Sequence, residues 1–90
     1  MEIRERKALK ARAHGLDPVV HVGGKGLTDP VIAEVERALT AHELIKVRVG
    51  AMDRDERETA LDTLCTRLGA QAVQHIGKVL VLFRARPEKN

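Results

Sequence analysis

Apolar and polar residues recur along this chain with two different periods, and the switches between them mark out seven elements. Glu2 to His14 holds no proline or glycine and is rich in good helix formers. Leu9, Ala13 and Leu16 are spaced to share one face, so a first helix is expected there, with Gly15 placed to end it. Asp17-Pro18 breaks that period, and Val19 to Val22 is dense enough in β-branched residues to form a short strand. After Gly23-Gly24-Lys25-Gly26, Thr28 is a good N-cap, Pro30 sits in the first turn, and Leu27 can staple against Ile32. That second helix runs to about His42 and buries Val31, Ile32, Val35, Ala38 and Leu39.

Leu44 to Val49 alternates as a strand does, with Ile45, Val47 and Val49 on a core face and Lys46 and Arg48 on the other, and Gly50 ends it. Asp53 with Glu56 forms a capping-box pattern for a third helix, with Asp55 and Glu58 as an alternative start. That helix carries Leu61, Leu64, Cys65 and Leu68 and closes at Gly69. Gln71 to Ile76 and Val79 to Arg84 are strands separated by Gly77-Lys78, a hairpin spacing. The last strand is apolar on both faces and is therefore expected at the centre of a sheet covered on both sides. The order α-β-α-β-α-β-β predicts an α/β fold with a largely parallel sheet and right-handed crossovers, the hairpin adding one antiparallel strand. Residues 1–84 form one domain, and Ala85 to Asn90 is a basic tail expected to fray.

Charge changes this picture more than composition does. Hydrophobic residues make up 43% and charged residues 32% of the 90, as in an ordinary soluble domain. The +3 net charge, however, is unevenly distributed. Residues 1–14 balance at +3, residues 15–75 at −3 and residues 76–90 at +3. If folding brings both ends to the glycine loop, a one-sided basic surface suited to a polyanion results. The single Cys65 excludes an internal disulfide and points to a reducing compartment. The amino terminus has no apolar leader, and no apolar run is long enough to span a bilayer, so a cytoplasmic protein without membrane contact is expected.

The loop Gly23-Gly24-Lys25-Gly26 could bring bare backbone amides and one ammonium to a phosphate. Lys25 precedes its glycine and no Ser or Thr follows at P-loop spacing, and Asp29 occupies the third glycine of a dinucleotide fingerprint. A G-x-x-G clamp remains. Asp29 at the helix N-terminus opposes a deeply seated phosphate, so a shallow grip on a nucleic-acid backbone fits better.

His14, His21, His42 and His75 have no metal-ligand spacing, and Cys65 falls on a core stripe. Asp53-Arg54-Asp55 opens like a calcium loop, but Glu58 and Leu64 stand where glycine and glutamate are needed. Serine and tyrosine are absent. No metal, cofactor, small-molecule substrate or catalytic residue is expected. Phe83 is the one aromatic residue besides the histidines, which argues against base-stacking platforms and for phosphate and shape recognition. The basic residues expected near the loop are Lys7, Lys10, Lys25, Lys46, Arg48, Lys78, Arg84 and Arg86.

The chain resembles the CRM domain (chloroplast RNA splicing and ribosome maturation), most closely its stand-alone bacterial, YhbY-like form. The resemblance covers about residues 8–84. It is carried by Leu9-Lys10 with Ala13-His14-x-Leu16-x-Pro18-Val19-Val20, by Gly23-Gly24-Lys25-Gly26-Leu27-Thr28, by His42-Glu43-Leu44-Ile45-Lys46-Val47, and by Ile76-Gly77-Lys78 through Arg84. It implies a two-layer α+β fold similar to the C-terminal domain of translation initiation factor three. In that fold a mixed four-stranded sheet has an internal last strand, helices pack on it, and one N-terminal helix is added. It also implies RNA binding through Gly23, Gly24, Lys25 and Gly26, with Lys10, Lys46, Lys78 and Arg84 as further contacts. Asp17 stands where a basic residue is frequent and Phe83 where tyrosine is frequent.

The expectation is thus a monomeric, non-catalytic protein that binds RNA, specifically large-subunit ribosomal RNA in pre-ribosomal particles. Two alternatives are a module docking on a ribosomal protein and, less favoured by the failed phosphate motifs, a small nucleotide-using enzyme.

Overall fold

The computed structural model describes residues 1–87. Three helices and four strands follow one another as α1 (Ile3–Ala13), β1 (Val20–His21), α2 (Asp29–His42), β2 (Leu44–Arg48), α3 (Arg54–Leu68), β3 (Gln71–Ile76) and β4 (Val79–Phe83). Local chemistry sets most boundaries. Thr28 Oγ1 accepts from the Val31 N–H at 3.4 Å, with Pro30 in the first turn of α2. Asp53 and Glu56 exchange side-chain and backbone hydrogen bonds of 2.9 and 3.0 Å, so the capping box forms and the later start at Asp55 is not used. Gly69 ends α3 at φ 64, and Gly77 opens the two-residue hairpin at φ 53.

One local expectation does not hold. α1 stops at Ala13 without a left-handed glycine: Gly15 lacks a positive φ, the chain turns through a Leu16 N–H to Ala13 carbonyl bond, and Leu16 leaves the apolar face to become 39% exposed. The step from α2 to β2 takes one residue, Glu43, held at φ 64 despite its side chain. Three hydrogen bonds hold it there. Its N–H donates to the Leu39 carbonyl, its carbonyl accepts from the Arg84 N–H, and Oε2 accepts from the Arg86 N–H at 2.7 Å. Arg86, in the tail, is thereby joined to Glu43, and the last three residues of the chain lie outside the described ones.

The sheet order is β1-β2-β4-β3. β1 and β2 are parallel, whereas β4 is antiparallel to both β2 and β3, so the largely parallel sheet expected from the element order is not formed. The crossover through α3 leaves a gap one strand wide, and β4 turns back at Gly77-Lys78 to fill it. Each face of β4 then feeds a different cluster. Leu80 and Leu82 pack with Val35, Leu39, Ile45, Val47, Leu61 and Leu64 beneath α2 and α3. Val81 packs with Leu9, Ala13, Leu44 and Val73 beneath α1, so the added N-terminal helix covers part of the second face. Among the described residues no helix is long and apolar enough to cross a membrane.

Leu9 is 4% exposed and anchors α1 to the second face together with Ala13. Leu9→Ala is expected to cost about 2–5 kcal/mol and to undock α1 first. Amide exchange should accelerate across residues 3–13 while protection of β4 falls only with global stability. Equal acceleration throughout would show α1 to be integral to a single cooperative core.

Candidate nucleic-acid interface

Cross-strand register places side chains in rows on the α1 face of the sheet. The first row, Leu44-Phe83-Gln71, lies farthest from the glycine loop; the second is Lys46-Val81-Gln74 and the third His21-Arg48-Val79-Ile76. α1 lies over the first row and part of the second. Its N-terminal half borders Gln71, Phe83 and Arg84 through Glu5, and its last turn meets Lys46, Gln74 and Ile76 through Lys10, Ala13 and His14. The rest of this face is open, and Ile76 is 53% exposed there.

Three loops meet at the end of the sheet beyond the third row. The Val22 N–H donates to the Arg48 carbonyl at 2.8 Å and leads directly into Gly23-Gly24-Lys25-Gly26. The Val49 N–H donates to the Lys78 carbonyl at 2.8 Å, joining the β2 exit to the hairpin. A methyl group at Gly50 would stand 3.7 Å from Arg48 Nε and 4.0 Å from Lys78 Cδ, so those two cations flank it. Arg57, from α3, ties these loops from below, its guanidinium donating to the Met52 carbonyl at 2.9 Å and to His75 Nε2 at 3.1 Å. His75 Nε2 also lies 3.0 Å from the Gly77 carbonyl, so the ring sits between α3 and the hairpin.

The glycine loop is a tight turn closed by the Gly26 N–H to Gly23 carbonyl bond at 3.0 Å, with Gly24 and Lys25 at its centre. Gly26 needs its missing side chain, since its φ is 74. Gly23 and Gly24 do not: neither has a positive φ, and a Cβ on either would meet open space. Lys25 is exposed, and among the described residues the amides of Gly24 and Lys25 donate to nothing.

Of the basic residues expected near the loop, the fold gathers Lys10, Lys46, Arg48 and Lys78 on the open face or at its loop end beside Lys25. Lys46 Nζ makes a 3.5 Å bond to the His14 carbonyl, and none of these five cations joins an ion pair among the described residues. Placement of the other three differs from expectation. Lys7 lies one turn farther along α1 toward the first row. Arg84 and Arg86 follow Phe83, at the opposite end of β4 from the loops. Arg84 is paired with Glu36 and donates to the Leu68 carbonyl at 2.9 Å and to Thr40 Oγ1 at 3.0 Å, bridging α2, α3 and β4. The acidic excess of the middle segment sits on α2 and α3, on the other side of the sheet.

Among the described residues no group of three or more His, Cys, Asp or Glu could hold a metal ion. Burial, and then the Asp62 carboxylate, push the Cys65 thiol up, so it stays protonated and weakly nucleophilic at neutral pH.

The family model of the CRS1/YhbY (CRM) domain matches residues 1–84. The chain belongs to the CRS1/YhbY (CRM) domain family. A protein of Pseudomonas aeruginosa named "probable RNA-binding protein" is 44% identical over 86 residues, covering 96% of this CRM domain and 83% of the relative. A Haemophilus influenzae "RNA-binding protein" is 43% identical over 88 residues, covering 98% and 89%. The solution structure of a hypothetical protein from Staphylococcus aureus superposes with a TM-score of 0.84 at 29% identity, covering 97% of this chain and 91% of that one. The shared fold is the mixed four-stranded sheet with three helices.

The placement of Arg84 yields a direct check. Arg84→Ala is expected to lower stability by roughly 1–3 kcal/mol in urea denaturation, through lost packing and a lost charged hydrogen-bond donor. Elution of the folded variant from heparin resin should shift far less than that of Lys46→Ala. The reverse order would return Arg84 to the interface.

Proposed function

We propose that this CRM domain is a non-catalytic RNA-binding module. It grips the phosphate backbone with the Gly23–Gly26 turn and with the open basic face formed by Lys10, Lys46, Arg48 and Lys78. The observation that carries this reading is the convergence, on the open face and at its loop end, of five cations in no ion pair and two loop amides that have no partner among the described residues, with the acidic helices on the other side of the sheet. Similarity to proteins named RNA-binding supports it. Nothing inside the fold demands glycine at positions 23 and 24. A surface without Cβ atoms is what an approaching phosphate backbone needs, and Lys25 at the turn centre supplies charge there.

The RNA we infer is ribosomal RNA in precursors of the large subunit, as the resemblance to the ribosome-maturation branch of the family implies. Action as a monomer in the cytoplasm is part of the same proposal. A phosphate-reading face favours structured RNA over a bare single strand, since the one aromatic residue, Phe83, lies in the first row beneath α1.

Binding through three or four phosphates should make log K fall with log salt at a slope of roughly −2 to −4. Lys25→Ala is expected to weaken binding across RNA sequences and flatten that slope by nearly one unit, as measured by fluorescence anisotropy between 50 and 200 mM salt. Gly24→Ala should leave the melting temperature unchanged, because its Cβ enters open space, and still weaken RNA binding. A salt-independent Kd, or wild-type binding by both variants, would remove the loop from the interface. In cells, crosslinking should recover large-subunit ribosomal RNA; enrichment of messenger RNA instead would overturn the ribosomal assignment.

A further inference from the structure

β3 is not a regular strand. Its register against β4 shifts between Ala72 and Gln74, so that Ala72 pairs with Leu82 and Gln74 with Val81, and Val73 is the extra residue. In unbroken alternation Gln74 would turn toward α3. The bulge instead sets it opposite Val81, on the α1 side of the sheet, together with the buried Val73. Bulges that re-aim one side chain in this way are over-represented beside functional sites.

What Gln74 meets there is a cleft of about 310 Å³ lined by Lys10, Ala11, Ala13, His14, Lys46 and Ile76. Its composition is unusual for an idle surface. Two ammonium groups stand beside a neutral amide that makes no side-chain hydrogen bond among the described residues, and an isoleucine left 53% exposed forms part of the lining. The volume lies at the lower end of small-ligand pockets, near 300 Å³, which excludes a duplex and suits one nucleotide. Ile76 offers an apolar seat for the flat face of a base. Gln74 offers one acceptor beside two donors, the complement of a base edge that carries a donor next to an acceptor, as adenine does. Lys10 and Lys46 are placed to hold the phosphates on either side.

We infer that the bulge-built cleft between α1 and β3 is a subsite for a single unpaired nucleotide of the bound RNA, its base edge read by Gln74. This rests on the RNA-binding reading above and adds a specificity element to it: the loop and Arg48 grip the backbone of a paired segment, and the cleft accepts a base extruded beside it. A bulged or mismatched base costs least to extrude, which favours RNA with such a defect.

The test uses three hairpins that share one stem: fully paired, with one bulged adenosine, and with one bulged abasic nucleotide. Wild-type protein should bind the adenosine bulge about tenfold tighter than either of the others, as expected for one well-matched base contact. Gln74→Leu keeps the volume and removes the amide, and should reduce that preference to within about twofold while paired-stem affinity is retained. Gln74→Glu, nearly isosteric but without a donor, should give the same loss and replaces the leucine variant if that one fails to fold. Lys25→Ala should weaken all three RNAs by the same factor. Equal wild-type binding to the adenosine and abasic bulges would overturn the base subsite and leave the backbone grip standing, as would a preference that survives both Gln74 variants. Failure of wild-type protein to bind any of the three would overturn the RNA-binding reading along with it.

Discussion

The fold depends on the insertion of β4 between β2 and β3. Val79 to Phe83 carries five apolar side chains in succession, a pattern that no edge or half-exposed strand could hide. Pairing on both edges satisfies its backbone, and its alternating faces divide the burial: Leu80 and Leu82 complete the core under α2 and α3, and Val81 supports α1. Had β4 formed a terminal strand, one face and one edge would have remained in water and α1 would have had nothing to cover.

The same insertion builds the candidate interface. Because β4 runs antiparallel to β2, its hairpin reaches back to the β2 exit, and the Val49 N–H to Lys78 carbonyl bond fastens the two. β1, parallel to β2, ends at that level as well and releases the glycine loop beside it. Lys25, Arg48 and Lys78 come from three separate segments and share one end of the sheet for this reason. The other end is specialised for holding the chain together. There Arg84, Glu36 and the constrained Glu43 lock the α2 exit to the end of β4, which removes their charges from any role at the loops.

α1 covers only about half of its side of the sheet. Its anchors, Leu9 and Ala13, are short and few, so the row Lys46-Val81-Gln74 is partly covered and the row His21-Arg48-Val79-Ile76 is open. The partial cover leaves a concave, cationic face rather than a third complete layer. It also makes the last turn of α1, with Lys10 and His14, a wall of that face.

Much of this was legible in the residues themselves. Capping chemistry at Thr28 and Asp53-Glu56, the glycine ending α3, the two-residue hairpin and the doubly apolar last strand are short-range signals, and they mark elements and boundaries because their physics is local. The loop stood out as a tight turn built on glycines around one lysine for the same reason. Periodicity, however, carries no record of which strand edge meets which, so element order alone suggested a largely parallel sheet where a mixed one forms. Basic charge near a terminus does not disclose its partner either: Arg84 is bound to Glu36 across about half the length of the chain, while Lys46 and Arg48, in a strand whose other face is core, join no ion pair among the described residues. A bulge leaves no mark in a run such as Gln71 to Ile76, because it arises from fitting that run against β4 and α1 together. The sequence by itself thus determined the elements, the central strand and the chemistry of the loop; the tertiary structure decided which charges remain free and where Gln74 faces, since both depend on contacts between residues far apart in the chain.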